Sequence, residues 1–269
     1  MNLMSRPDLR EILEFSVEAA QRAGDLTLGY FHSGVAVVEK GDGSPVTAAD
    51  REAELLLRER IERRFPAHSI LGEEFGERRG EEPARWILDP IDGTFSFIHG
   101  VPLYSTLVGF EWQGEMAVGV IHMPALRETV YAARGLGCWW NGRRAGVSCC
   151  NDLPQATLLT GGGKLFDTTG RTAAFDAMRR ACRVHRSWCD GYGYALLATG
   201  RADVVLDPVM NIWDVAALLP VVTEAGGRLT DWRGGGDHTS RESLASNGSL
   251  HQAALDVLAS PASHTPRRS

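Results

Sequence analysis

Three short acidic segments, far apart in the chain, place carboxylates where a strand or helix should begin or end. They are LGEEF with Glu73 and Glu74, WILDPIDGT with Asp89 and Asp92, and NIWDVAA with Asp214. Hard divalent cations such as Mg²⁺ prefer carboxylate, carbonyl and water oxygens as ligands. If the fold brings these segments together, they can supply a metal site.

Each of these acids also has an ordinary structural explanation. A Glu-Glu pair can simply be solvated, and aspartates beside a proline often bond the backbone of a turn. Asp214 follows Asn211 by three residues, the spacing of a helix capping box, and Asp50 has the same relation to Thr47. Taken singly, none of the acids establishes a metal site.

The combination of the acidic segments favours metal binding. Carboxylates gathered in one site repel each other unless a cation neutralises them. The proline inside WILDPIDGT fixes the turn, so that both aspartates and the carbonyl of Ile91 can face one point. Gly93 and Thr94 then add accessible backbone and a hydroxyl, which suit an oxyanion such as phosphate. The pattern predicts a dinuclear or trinuclear metal site beside a phosphate-binding turn.

Two other phosphate motifs fit the sequence poorly. Phosphatases of the haloacid dehalogenase type have aspartates two residues apart in a DxDGT string, whereas here the spacing is three, with Pro90 in between. The segment TGGGKLF (160–166) lacks the first glycine of a phosphate loop and has Leu165 where Ser or Thr should follow the lysine. We therefore expect neither an aspartyl nucleophile of that type nor a nucleotide-binding loop.

Composition narrows the class of protein. The 269 residues include 43% hydrophobic and 23% charged residues, which is typical of a folded globular chain. The net charge of −6 argues against nucleic-acid binding. The N-terminus has no uninterrupted apolar stretch and no segment could span a membrane, so we expect a cytoplasmic protein. Five cysteines without a CxxC pair predict buried thiols rather than disulfides or a zinc site.

Periodicity predicts two halves. The first half should contain an amphipathic helix over 8–31, a second helix from near Thr47 to before Pro66, and antiparallel strands between Ile70 and Tyr131. After the turn at 141–148, strands alternate with helices, which is typical of an α/β arrangement. We place an α+β half at 1–147, an α/β half at 148–258, and a disordered tail at 259–269.

The order of the motifs resembles one known family. LGEEF, WILDPIDGTFSFIHG and WDVAALLPVVTEAGG, in this order over 72–227, are similar to the inositol monophosphatase superfamily of Mg²⁺-dependent, lithium-sensitive phosphatases. The resemblance covers nearly the whole chain apart from the tail. It implies an α/β (α+β) fold, the layered αβαβα sandwich of the inositol monophosphatase and fructose-1,6-bisphosphatase type. It also implies a homodimer that acts on a small phosphorylated metabolite.

The resemblance assigns roles to individual residues. The implied ligands of two to three Mg²⁺ ions are Glu73, Asp89, the Ile91 carbonyl, Asp92 and Asp214. Asp50 and Thr94 match the pair that orients and helps deprotonate the attacking water, and Glu73 also belongs to the catalytic set. The backbone amides of Gly93 and Thr94 would hold phosphate oxygens. The implied reaction is direct hydrolysis by a metal-activated water, without a phosphoenzyme.

The segment 189–214 bears on the substrate. Tyr192 and Asp207 stand where inositol-type members carry a small residue and a glutamate, and the segment resembles the histidinol-phosphatase branch. Asp190, Tyr192 and Asp207 could contact the ammonium and imidazole groups of histidinol phosphate. Alternatively, Tyr192 and Tyr194 pack beneath the second sheet, and Asp207 is a turn residue.

Other functions stay open at this point. The chain could be an inositol-1-monophosphatase or a broader sugar or polyol phosphatase. It could also be a catalytically idle member that acts through protein or RNA contacts. Phe95 departs from the small, polar or basic residue that the family often has, and the setting of Lys40 is undefined. Both bear on the substrate rather than on the reaction.

Overall fold

A computed structural model describes residues 7–41, 43–188 and 190–260 of the chain. Two helices near the N-terminus match the predicted ones: α1 (Leu9–Tyr30) and α2 (Ala48–Arg64). Asp8 caps α1 by accepting the Arg10 N–H at 2.9 Å. A small antiparallel ribbon, β1 (Val37–Glu39) and β2 (Pro45–Thr47), connects the two helices.

A large sheet follows the helices. Its strands are β3 (Ser69–Gly72), β4 (Gly76–Arg78), β5 (Ala84–Asp92), β6 (Ser105–Trp112), β7 (Glu115–Met123), β8 (Glu128–Ala133), β9 (Gly137–Trp140) and β10 (Arg143–Arg144). Their order is β10-β9-β8-β7-β6-β5-β3-β4. The predicted antiparallel pairing is correct except between β3 and β5, which are parallel because β4 and the loop after it return the chain to the same end of the sheet. A short helix, α3 (Thr94–Ile98), follows β5.

A smaller sheet and five helices form the rest of the described chain. The strands are β11 (Thr157–Thr160), β12 (Val184–Arg186), β13 (Val204–Asp207), β14 (Arg228–Thr230) and β15 (Ser243–Ser246), in the order β12-β11-β13-β15-β14. The helices are α4 (Gly163–Thr168), α5 (Thr172–Ala181), α6 (Gly191–Ala198), α7 (Ile212–Glu224) and α8 (His251–Ala259). The first three strands in space are parallel, and the last two are antiparallel to their neighbours.

The elements stack in five layers. Helices α1 and α2 cover one face of the large sheet, and α6 and α7 fill the space between the two sheets. Helices α5 and α8 cover the outer face of the small sheet. This is the expected αβαβα order. The predicted tail, 259–269, starts at the last residue of α8, and 261–269 lie outside the described residues.

One apolar core joins the two sheets. Strand residues of the large sheet, including Leu107 and Ile121, pack with Leu197 of α6 and Leu218 of α7. Gly119 in β7 lets α7 come close, since a Cβ there would overlap the carbonyl oxygen of Ala217. The segment between β10 and β11 contains the predicted boundary at 147, but the shared core makes the two halves one packed body.

Candidate active site

The first site segment lies at the end of β5. This strand is buried along most of its length, and its pairing with β6 shifts register between Asp89 and Asp92. Such an irregularity changes the direction of side chains at a strand end. Gly93 follows with φ of 84°, a left-handed conformation that glycine adopts without strain. The strand therefore delivers two carboxylates to one place and then turns sharply into α3.

Three predicted metal ligands, Asp89, Asp92 and Asp214, come together here and form what we call the acidic cluster. Asp89, Asp92 and Asp214 each offer a carboxylate oxygen, and these oxygens lie within 4.8 Å of one another. Asp89 is only 2% exposed, and its Oδ1 is buried without a hydrogen-bond partner among the described residues. Burial and the neighbouring carboxylates raise the pKa of Asp89 and of Asp214, and burial and Asp190 raise that of Asp92 to about 8. A divalent cation would satisfy both the orphaned oxygen and the mutual repulsion.

Asp214 serves the helix start as well as the cluster. It lies in the first turn of α7, where its Oδ2 accepts the backbone N–H of Asn211 at 2.7 Å. The two interpretations of this residue, helix capping and membership of the acidic cluster, are therefore compatible.

Glu73 lies in the turn after β3, beside the cluster. Its backbone N–H donates to the carbonyl of Leu88 at 3.2 Å, and its carboxylate accepts the Lys40 ammonium at 2.7 Å. Lys40 also donates to Glu74 at 2.5 Å. Burial raises the pKa of Glu73 despite this ion pair, whereas the two glutamates raise the pKa of Lys40 against the effect of burial. Lys40 thus holds the side chain of a predicted metal ligand.

Asp50 and Thr94, which were predicted to orient the attacking water, bond different parts of the chain. The Asp50 carboxylate accepts the backbone N–H of Thr47 at 2.7 Å and its hydroxyl at 2.6 Å, which completes the cap of α2. The Thr94 hydroxyl donates to the carbonyl of Ile91 at 3.1 Å, so it lies beside the carbonyl that was predicted as a metal ligand. Within the described ranges, no hydrogen bond joins Asp50 to Thr94.

A cavity of about 660 Å³ opens beside the acidic cluster, between the two sheets. Its acidic lining consists of Asp92, Asp190, Asp207 and Asp214. Its lining also includes the apolar residues Phe95, which is 64% exposed, and Val209. Lys164 and Gly161, from the segment 160–166 that fits a phosphate-loop motif poorly, also line it. A second cavity, of about 630 Å³, lies between α1 and the β8–β9 hairpin, away from these acids.

Two of the three residues predicted to contact the ammonium and imidazole groups line the 660 Å³ cavity beside the acidic cluster. Asp190 has φ of 56° and ψ of −163°, and its Oδ2 is close enough to Gly93 that a Cβ there would lie 2.8 Å away. Part of the Asp190 residue is exposed to solvent. Desolvation of its carboxyl group nevertheless raises its pKa to about 7, together with the negative charges of Asp207 and Asp214. Asp207 is buried and accepts the Tyr194 hydroxyl at 2.8 Å.

Tyr192 lies elsewhere. It is partly buried against the apolar core between the sheets and is not among the described residues that line the cavity. Tyr194, two residues later, lines the cavity instead. Because α6 begins at Gly191, the helical phase and not the local sequence determines which tyrosine faces the cavity.

Two supports of Asp92 were not foreseen. The Ser105 hydroxyl donates to Asp92 Oδ2 at 2.9 Å, and the backbone N–H of Gly191 donates to the same oxygen. Ser105 lies opposite Asp92 in the β5–β6 pairing, so correct strand alignment could have identified it. Gly191 is 99 residues away, and no local sequence signal indicates that contact.

Comparison with known proteins gives the family. The sequence profile of the inositol monophosphatase family matches residues 8–263. The chain belongs to this family. It is 43% identical to a histidinol-phosphatase of Chlorobaculum parvum, over 82% of this chain and 86% of that protein. It is 36% identical to a fructose-1,6-bisphosphatase/inositol-1-monophosphatase of Thermotoga maritima, over 91% of this chain and 95% of that one.

A solved structure agrees with the fold. The T. maritima inositol monophosphatase structure superposes with a TM-score of 0.85 at 34% identity, and covers 93% of this chain and 98% of its own. The predicted family and layered fold are therefore confirmed, and the chain is a member of a phosphatase family. In the part of the chain that the structure describes, no helix is both long and apolar enough to cross a bilayer.

Proposed function

We propose that this phosphatase hydrolyses histidinol phosphate to histidinol and inorganic phosphate, with Mg²⁺ as cofactor, in histidine biosynthesis. The observation that carries the metal-dependent reaction is the group of three carboxylates with one oxygen each within 4.8 Å of the others, one of which has a buried oxygen without a hydrogen-bond partner among the described residues. The substrate rests on the acidic lining of the adjacent cavity and on the similarity to a histidinol-phosphatase.

We propose that the acidic cluster, together with Glu73 and the Ile91 carbonyl, binds two to three Mg²⁺ ions. The proposed ligands are Glu73, Asp89, the Ile91 carbonyl, Asp92 and Asp214. When bound, the metal supplies an activated water and neutralises charge on the phosphate and the leaving oxygen. The backbone amides of Gly93 and Thr94 hold phosphate oxygens at the turn after β5. Glu73, Asp50 and the Thr94 hydroxyl orient the attacking water.

Charge in the cavity favours a cationic leaving group. The Asp207 carboxylate already accepts hydrogen bonds from the Tyr194 hydroxyl at 2.8 Å and from the backbone N–H of Gly161 at 3.3 Å. Its hydrogen-bonding capacity is therefore partly satisfied within the protein. Asp190 lies at the cavity wall beside Gly93, near the proposed phosphate position. Its carboxylate can accept the ammonium or imidazole N–H of histidinol. A neutral polyol would offer this carboxylate no positive charge.

A side-by-side assay tests the substrate. Phosphate release from histidinol phosphate, inositol 1-phosphate and fructose 1,6-bisphosphate should be measured with and without Mg²⁺. We expect kcat/KM for histidinol phosphate to exceed the others by at least about tenfold, and every activity to require Mg²⁺. A preference for inositol phosphate or the bisphosphate would instead support the second candidate, a broader sugar or polyol phosphatase, which the T. maritima relative favours.

Removing one carboxylate tests whether the protein is catalytic. Asp89→Asn keeps the volume of the side chain but removes a charge from the cluster, so phosphate release should fall by at least about 100-fold. Unchanged activity in this variant would support the alternative of an idle member that acts through protein or RNA contacts.

Li⁺ at millimolar concentration should inhibit the wild-type enzyme by replacing one Mg²⁺. Light scattering should give the mass of a homodimer.

A further inference from the structure

The carboxylate of Glu54, in α2, is buried without being part of the acidic cluster. Its side chain is fully buried, with 0% exposure. It lies one helical turn after Asp50, on the same helix, and points toward the turn between β3 and β4. A fully buried carboxylate is costly unless charged and polar partners surround it. The partners of Glu54 therefore indicate its role.

Glu54 binds the backbone of the turn that carries Glu73. Its Oε2 accepts the N–H of Glu74 at 2.7 Å, and its Oε1 accepts the N–H of Phe75 at 3.3 Å. Its Oε1 also accepts the Arg58 Nε–H at 2.7 Å. The turn therefore has two backbone N–H groups fixed by one side chain.

Arg58 fixes the far end of the same turn. While its Nε bonds Glu54, one of its terminal nitrogens donates to the carbonyl of Gly76. The near end is equally constrained, because a Cβ at Gly72 would overlap the Glu54 carboxylate. The segment from 72 to 76, which contains the turn between β3 and β4, is thus held from α2 at both ends, with Glu73 inside it.

From these contacts we infer that Glu54, with Arg58, is a positioning residue for the metal ligand Glu73. The inference rests on the metal site of the proposed function. Mg²⁺ requires ligand oxygens at about 2.0–2.1 Å in near-octahedral geometry, so a small displacement of the turn weakens binding. Helix α2 then carries two functions: Asp50 at its start and the support of Glu73 one turn later.

Glu54→Gln tests this role. Glutamine keeps one acceptor oxygen but turns an amide toward the turn, so one backbone bond and the ion pair with Arg58 are lost. Calorimetric titration of metal-free protein with Mg²⁺ should show the dissociation constant of the Glu73 site raised about 10- to 100-fold. At saturating Mg²⁺, kcat should return to within about twofold of wild type, with KM for the substrate unchanged.

Two further variants make the test specific. Gly72→Ala inserts a methyl group where the Glu54 carboxylate lies and should weaken Mg²⁺ binding in the same way, without removing any charge. Glu59→Gln is the control, since Glu59 is an exposed residue of α2 that pairs with Arg63 on the surface. It should leave the Mg²⁺ dissociation constant unchanged.

The outcomes separate this inference from the proposed function. If wild-type protein binds Mg²⁺ and both Glu54→Gln and Gly72→Ala bind it equally tightly, while only their melting temperatures fall, Glu54 is merely structural and the inference is wrong. If wild-type protein binds no Mg²⁺ at all, the proposed metal site fails and this inference fails with it. Because the titration uses no substrate, the choice of phosphate ester does not affect the result.

Discussion

At the scale of single residues, desolvation and mutual repulsion destabilise the ionised form of the acidic cluster. Asp89, Asp92 and Asp214 all have pKa values raised above the ordinary 3.8, because their carboxyl groups are shielded from water and lie near other carboxylates. The folded, metal-free protein therefore binds protons that the unfolded chain would release. Stability must then fall as the pH rises from about 4 through the raised pKa values, since the unfolded state binds fewer protons in this range.

This predicts a pH-dependent effect of Mg²⁺. The buried side chains of His122 and His251 have their pKa lowered to about 4. Their contribution to stability therefore increases as the pH rises to 6.5 and is constant above it. Between pH 6.5 and 8, the acids should thus dominate, and the metal-free protein should lose several degrees of melting temperature. Mg²⁺ should raise the melting temperature more at pH 8 than at pH 6.5, as measured by scanning calorimetry with and without EDTA. An equal gain at both pH values would contradict the assigned cluster.

At the scale of elements, the start of α6 combines strain with function. Asp190 precedes the helix at φ 56° and ψ −163°, a region that is essentially restricted to glycine. The strain costs about 1–3 kcal/mol. It lets the Asp190 carboxyl group face the cavity, while the next residue, Gly191, donates its N–H to Asp92. Helix α6 therefore connects the proposed substrate contact, Asp190, with the acidic cluster.

Two substitutions at this position should separate strain from charge. Asp190→Gly removes both, whereas Asp190→Asn removes the charge alone. We expect the glycine variant to melt about 2–5 °C above the asparagine variant, because only glycine relieves the backbone strain. Both should lose kcat/KM for histidinol phosphate by at least about tenfold, with a smaller loss for a neutral phosphate ester. Equal melting temperatures would contradict the strain, and equal losses on both esters would contradict the contact with the cation.

At the scale of the whole molecule, the two sheets share one core and one site. Helices α6 and α7 pack on both sheets, and the acidic cluster combines Asp89 and Asp92 of the large sheet with Asp214 of α7. Glu224, at the end of α7, also accepts the backbone N–H groups of Gly135 and Gly137 from the β8–β9 turn. Neither half can bury its apolar face without the other.

The shared core predicts a single unfolding transition. Urea unfolding followed by far-UV circular dichroism and by tryptophan fluorescence should give coincident curves, because Trp86 in the first half and Trp232 in the second lose their environments together. Mg²⁺ should move both curves to higher urea by the same amount. Two separate transitions would instead establish the predicted halves, 1–147 and 148–258, as independent domains.

Some of the site could be predicted from the sequence because its residues are adjacent or at fixed spacing. Asp89, Asp92 and Gly93 share one strand end, and the Asp214 position follows from a helix start. Other features depend on contacts between distant segments. Whether Tyr192 or Tyr194 faces the cavity depends on the phase of α6, and the support of the Glu73 turn by Glu54 depends on how α2 packs on the large sheet. Periodicity predicts that these helices exist but not how they are rotated.

The cavity has walls of two different origins. The proposed phosphate-binding turn and most of the proposed metal ligands come from the large sheet, while Lys164, Asp190 and Asp207 come from the smaller sheet and its helices. Substitutions in the second group can therefore alter which ester is accepted without moving the atoms that break the P–O bond. Changes at these individual side chains can give such an enzyme a new metabolite, whereas exchange of the whole second wall would also remove the Gly191 N–H that supports Asp92.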